Sequence, residues 1–303
     1  MPQEKLVQRL LELKKQRNAI ILAHNYQTPE IQDVADHVGD SLGLSRLAAT
    51  TYASVILFCG VHFMAETAAI LSPSKTVIVP DLNAGCPMAH MVMPRQLKAW
   101  RDDHPNATVV TYVNSSAAVK ALSDICCTSA NAVEIVASLP ANAEILFVPD
   151  RNLGHYVMKK TGRTLELWNG FCPTHERMLP EMAATARQKY PGAILVAHPE
   201  CRPALVELAD HVDSTTGIGK YCHDSEATEF IIATEIGVLH PLRKENPGKI
   251  FHPLTETADC PNMKLNSLEK MIWALEDMQP VVSVPPDIAI RAMTPIRRML
   301  EIG

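Results

Sequence analysis

Three of the eight cysteines stand immediately before proline, as Cys86-Pro87, Cys172-Pro173 and Cys260-Pro261, and they lie 86 and 88 residues apart. Each follows an apolar run and sits among small or turn-forming residues (NAGCP, NGFCP, TADCP). A lone cysteine is usually a small buried hydrophobe, and that reading serves for Cys59, Cys201 and Cys222. It also serves for Cys126-Cys127, which falls in a helical or pre-helical stretch without a counterpart elsewhere in the chain. Three loop thiolates related by an approximate threefold, with no obvious fourth, fit two metal groups. One is zinc held by three Cys and a His. The other is a cubane iron–sulfur cluster with one iron left free for substrate. Electron-transfer clusters are ligated by four cysteines, whereas a cluster lacking one protein ligand works as a Lewis acid on a substrate oxygen. No C-x-x-C occurs in the chain, so position in the repeat carries this argument.

The same interval aligns other polar residues. His24, Tyr112 and His198 end three similar apolar runs, and two residues on from each stand Tyr26, Asn114 and Glu200. Seventeen residues on stand Ser41, Ser129 and Thr215. His24, Tyr26, His198 and Glu200 are suited to proton transfer, and the Asn114 amide can orient a carboxylate. Ser41 and Ser129 read as helix N-caps. Ser214, Thr215, Thr216 and Gly217 form a hydroxyl-rich turn. Helix N-termini are natural anion sites, so three of them facing one cavity would suit a substrate bearing carboxylates and phosphate. His175, three residues after Cys172, is a candidate partner of the metal ligands or a substrate contact. Arg46, Arg177 and Arg202 read as solvated or ion-paired, and so does Lys220.

These residues need a frame that repeats. AIILAH (19–24), ATVVTY (107–112) and AILVAH (193–198) start 88 and 86 residues apart, and each follows an amphipathic helical segment. A second strand follows in each unit (SVILFCG, AEILFVPD, EFIIATEIG), then a third (KTVIVP, RTLELW, KIFHP). Strands alternating with helices imply right-handed βαβ units and parallel sheets covered on both faces. The expected fold is α/β: three α/β/α domains related by a pseudo-threefold, each with a small parallel sheet, around a central cavity. Ligands bind beyond the carboxyl ends of such strands. The expected boundaries are residues 1–94 with 266–303 (Cys86), 95–180 (Cys172) and 181–265 (Cys260), the segment from about 266 returning to pack on the first domain.

Composition bounds the function. The 303 residues carry 28 Lys+Arg against 33 Asp+Glu, a formal net charge of -5, which argues against nucleic acid or a membrane surface held by bulk charge. No apolar run approaches a membrane span, and the amphipathic N-terminal stretch does not read as a signal peptide. A cytoplasmic protein with reduced thiols is expected.

Taken together, AHNYQTPEIQDVADHVGDSL, PDLNAGCPMAHM, TYVNSSAAVKALSDICCTS, WNGFCPTHER, AHPEC, DSTTG and DCPNMKLNSLEK occur in an order that resembles the quinolinate synthase family over essentially the whole chain. The resemblance implies a [4Fe–4S] cluster on Cys86, Cys172 and Cys260, and condensation of iminoaspartate with dihydroxyacetone phosphate to quinolinate, phosphate and water. It implies substrate contacts at His24, Ser41, Tyr112, Asn114, Ser129, His198, Glu200 and Thr215, with Tyr26 and Glu200 moving protons and the free iron binding the hydroxyl that leaves as water. It leaves room for handover of the imine from an L-aspartate oxidase. Residues 254 and 257 are Leu and Thr, so no disulfide switch is expected beside Cys260. Two other classes remain at this point: an iron–sulfur redox or sensor protein, which would need a fourth ligand, and a binding protein pinned by structural zinc.

Overall fold

The computed structural model describes residues 2–302 and contains three four-stranded sheets. The first comprises β1 (Ala19–His24), β2 (His37–Gly39), β3 (Val55–Cys59) and β4 (Thr76–Ile78). The second comprises β5 (Thr108–Tyr112), β6 (Ile125–Cys127), β7 (Ile145–Val148) and β8 (Glu166–Leu167). The third comprises β9 (Ile194–Ala197), β10 (His211–Val212), β11 (Glu229–Ala233) and β12 (Ile250–Pro253). Strand order is the same each time, β2-β1-β3-β4, β6-β5-β7-β8 and β10-β9-β11-β12, and every pairing within the sheets is parallel. Helices cover these sheets, so the molecule is three α/β/α units, as the repeat implies.

The chain leaves the first strand for one edge, then crosses back to pair on the other side. That reversal places a topological switch point between β1 and β3, β5 and β7, and β9 and β11, where open α/β sheets bind ligands. His24 and Tyr112 end β1 and β5, and His198 is the residue just past β9. Strand-end polar groups therefore stand at the switch point of each unit.

One strand per sheet escapes a reading of apolar runs: the edge strands β2, β6 and β10, of 3, 3 and 2 residues. Each is preceded by an aspartate, Asp36, Asp124 or Asp210. Its carboxylate accepts a 2.8 Å bond from the backbone N–H of Ile21, Val109 or Leu195 in the unit's first strand. A base from the helix that leads into the unit's first strand (Lys14, Arg101 or Arg187) pairs with each. Cys126 and Cys127 belong to β6 rather than to a helical stretch, and both are fully buried.

The first two units share one apolar core, and the C-terminal helix Pro286–Glu301 completes it with Ala292, Ile296 and Met299. The C-terminal segment thus divides its packing. Helix Leu268–Asp277 lies on helix Gln3–Gln16 of the first unit. The last helix instead packs on β6 and helix Ala117–Lys120 of the second unit as well as on helix His62–Leu71 of the first. Asn131 fixes it there, donating to the carbonyls of Met299 (3.0 Å) and Ile302 (2.8 Å). No helix of the described residues is long and apolar enough to cross a membrane.

Candidate active site

The three Cys-Pro loops meet. Asn262 Nδ2, in the third loop, donates to the carbonyl of Gly85 beside Cys86 (2.6 Å). Thr174 Oγ1 and Arg177 Nη2, just past Cys172, donate to the carbonyl of Asp259 (3.2 and 2.8 Å). Trp168 Nε1 donates to the carbonyl of Met91 (2.8 Å), which closes the ring between second and first loops. Cys86, Cys172 and Cys260 carry no disulfide and line one cavity between the units.

Each of these cysteines opens a short helical turn, Met88–His90, Pro173–Glu176 or Met263–Leu265, whose backbone N–H groups are directed at the sulfur. Burial pushes the Cys86 thiol up to about 12 and raises Cys172 and Cys260 as well. The amides pull the other way, because they favour the thiolate. His175 Nδ1 also lies 3.1 Å from Cys172 Sγ, and sulfurs with such donors suit a group whose own positive charge favours the thiolate. Among the described residues, the donor atoms that gather within 4.8 Å at this cavity are those of Cys172, His175 and Glu200, and the three cysteine sulfurs form no such triplet. Thiolates on one zinc at about 2.3 Å would lie only ~3.8 Å apart. The three sulfurs as placed therefore stand too far apart for one zinc ion on three Cys and a His.

The rest of the cavity is built from the strand ends and helix starts. His24, Tyr26, Ser41, Tyr112, Asn114, Ser129, His175, His198, Glu200 and Thr215 all line it, with an apolar wall that includes Phe63, Met88 and Met263. Ser214 does not line it. Its hydroxyl caps helix Thr215–Asp224 by accepting from Gly217 N at 3.2 Å. Nor does Ser41 or Ser129 cap. Asp40 occupies the N-cap of helix Ser41–Thr50 and accepts from Gly43 N at 2.9 Å, and Asn131 precedes Ala132–Ser138. The Ser41 and Ser129 hydroxyls are left facing the cavity. None of the described side chains lining it is Lys or Arg, so attraction for anions must come from these helix starts.

His24 and His198 share a local device. The Nδ1 of His24 accepts from Tyr26 N (3.1 Å), and that of His198 accepts from Glu200 N (3.3 Å). Each ring is thereby fixed as the neutral tautomer carrying its proton on Nε2. Burial lowers His24 to about 4 and His198 to about 3, so both are neutral donors at physiological pH. The Nε2 of His198 lies 3.2 Å from Ser129 Oγ.

A hydrogen-bond chain crosses all three units. Tyr26 Oη lies 2.9 Å from Thr234 Oγ1, Thr234 Oγ1 lies 2.9 Å from His175 Nε2, and His175 Nδ1 lies 2.8 Å from Glu200 Oε2. One assignment satisfies every atom: phenol donates to hydroxyl, hydroxyl to Nε2, and Nδ1–H to the carboxylate. Burial pushes the Glu200 carboxyl up, but its contacts with His175, His198 and Tyr112 outweigh that and hold it below its ordinary value. Burial raises Tyr26 well above its ordinary value. A neutral acid thus stands at one end and a carboxylate at the other. Asn114 Nδ2 approaches Glu200 at 3.4 Å, while the Asn114 Oδ1 is buried without a partner and available to a ligand. Thr234, one residue past β11, has no counterpart in the strand-end pattern, and only its place after a buried strand hinted at it. Asn25, which donates to Thr215 Oγ1 at 2.8 Å, was equally hidden between His24 and Tyr26.

Comparison with known proteins gives a consistent picture. A family model described as quinolinate synthetase A protein matches residues 8–301. The chain is 55% identical to a quinolinate synthase of Geotalea uraniireducens over 302 residues, covering 100% of this chain and 99% of that protein. It is 53% identical to one of Thermodesulfovibrio yellowstonii over 98% of each. It is likewise 53% identical to quinolinate synthase 1 of Methanosarcina acetivorans over 100% of this chain and 99% of that protein.

Proposed function

From the premise that the chain belongs to the quinolinate synthetase A protein family, we propose that its central cavity condenses iminoaspartate with dihydroxyacetone phosphate, releasing phosphate and water and supplying quinolinate for NAD biosynthesis. The observation that carries this reading is the gathering, in one cavity, of three thiols, three helix starts and an acid–base chain, each set drawn from all three units. Cys86, Cys172 and Cys260 would hold a [4Fe–4S] cluster. When bound, it supplies Lewis-acid polarisation of a substrate oxygen.

The chain's own residues account for the rest. The hydroxyls of Ser41, Ser129 and Thr215, with the N–H groups of the helix starts beside them, bind the carboxylates and phosphate. His24 and His198 donate from Nε2 without adding charge, so they orient carboxylates and leave the carboxylate of Glu200 unneutralised. Asn114 orients a carboxylate through its amide. Tautomerisation and ring closure both move protons between carbon, nitrogen and oxygen. Tyr26 gives a proton to substrate at Oη and Glu200 takes one from substrate at its carboxylate, while Thr234 and His175 join the two groups in one hydrogen-bond relay that fixes their positions. The apolar wall excludes water from an imine that water would hydrolyse. A cytoplasmic setting, where thiols stay reduced, agrees with eight cysteines free of disulfides. Receipt of the imine from an L-aspartate oxidase would shorten its exposure to solvent.

The test is direct. Anaerobically prepared protein, given oxaloacetate with ammonia as the imine source and dihydroxyacetone phosphate, should form quinolinate and phosphate in equal amounts. Consumption of the triose phosphate without quinolinate would overturn the reading.

A further inference from the structure

Glu235 has no part in the chemistry described above, yet it joins two of its components. Its carboxylate is fully buried just past β11. One oxygen accepts from the backbone N–H of Cys260 at 2.9 Å and from Lys264 Nζ at 2.9 Å. The other accepts from Gly237 N at 2.6 Å. Lys264 Nζ also donates to the carbonyl of Tyr26. Gly237 lies so close to Tyr26 that a Cβ there would stand 2.8 Å from its carbonyl carbon. One carboxylate and one ammonium group thus tie the backbone of a thiol ligand in the third unit to the backbone of the phenol in the first. Neither side chain lines the cavity.

We propose that Glu235 and Lys264 are a positioning pair that fixes Cys260 relative to Tyr26. The inference rests on the cluster-bearing, quinolinate-forming reading of the cavity. An interaction serving only the fold would not need to end on these two residues. Glu235 presents acceptors to three donors, and an amide in its place offers one oxygen, so at least one of Cys260 N, Gly237 N and Lys264 Nζ would face another donor. Groups standing behind metal ligands typically change metal retention or turnover by about 10–100-fold when altered.

The experiment compares wild type with Glu235→Gln, Lys264→Met and Lys264→Arg, all full-length and loaded with cluster anaerobically. It reads the rate of iron release to a chelator without substrate, then kcat and KM, then Tm. Glu235→Gln and Lys264→Met should release iron about tenfold faster and lose about thirtyfold in kcat, with KM within about threefold. Lys264→Arg, which keeps charge and donors, should stay within about threefold of wild type on both counts. If Glu235→Gln does not fold, the Lys264 pair decides. Unchanged iron release and kcat in Lys264→Met would overturn the proposal. So would equal losses in the Arg and Met variants, or faster release that merely follows a lower Tm. A wild type that holds no iron or makes no quinolinate would instead defeat the reading on which this rests, so the two failures are distinguishable.

Discussion

Replacing Thr234 with valine removes one hydroxyl from the middle of the proton chain and keeps the shape of the side chain. Two bonds of 2.9 Å disappear, to Tyr26 Oη and to His175 Nε2. The direct Tyr26–His175 separation is 3.5 Å, too long to replace them. Tyr26 and His175 are both buried, so each is left short of a partner at about 1–3 kcal/mol, and a stability loss of about 2–4 kcal/mol is expected. The larger effect falls on turnover. Positioned proton transfer contributes roughly 10²–10⁴-fold, so kcat should drop by about 10²–10³, equivalent to about 3–4 kcal/mol of barrier. KM should change little, because Thr234 does not line the cavity. Thr234→Ser restores the hydroxyl and should recover most of kcat. The assay is quinolinate formation under anaerobic steady-state conditions, with thermal unfolding alongside. A valine variant that turns over within twofold of wild type would refute the relay, whatever its stability.

Other outcomes follow from the same geometry. Single Ala replacements of Cys86, Cys172 or Cys260 should abolish both cluster absorbance and quinolinate formation, whereas Cys222→Ala, in the core of the third unit, should retain both. Glu200→Gln should keep the cluster and lose roughly 10²-fold or more in kcat, as read by iron content beside turnover. Stability should fall on mild acidification. In the folded state His24 and His198 are lowered to about 4 and 3, so below the unfolded pKa of about 6.5 the unfolded chain takes up two protons that the native state refuses. The slope between about pH 6 and 4.5 should therefore approach ~2.7 kcal/mol per pH unit from this pair. Urea midpoints across that range check it, and His24→Asn should remove about half the slope.

Much of this architecture is written in the repeat. The apolar β-branched runs mark β1, β5 and β9, and their common period brings His24, Tyr112 and His198 to equivalent strand ends. The edge strands β2, β6 and β10 are too short to show as apolar runs. What fixes them is a single aspartate side chain bonded to the neighbouring strand, although the matching spacing of Asp36, Asp124 and Asp210 could have betrayed it. For the C-terminal helix, amphipathicity says that a face is buried and not against which unit. Ser41 and Ser129 stand where caps belong, yet Asp40 and Asn131 take those positions, since an N-cap depends on backbone angles one residue either way. Thr234, Glu235 and Lys264 were invisible for a different reason. They act across unit boundaries, and no local pattern in the sequence records which loop will face which.

The proposed chemistry requires thiols from three separate units to hold one polynuclear group in the cavity where substrate binds. Iron and acid-labile sulfide analysis of anaerobically purified protein, wild type and the three single Cys-to-Ala variants, tests it most directly. About four iron and four sulfide per wild-type chain, and loss of an intact cluster in every variant, are expected. One zinc per chain, or a variant that keeps the full complement of iron and sulfide, would contradict it.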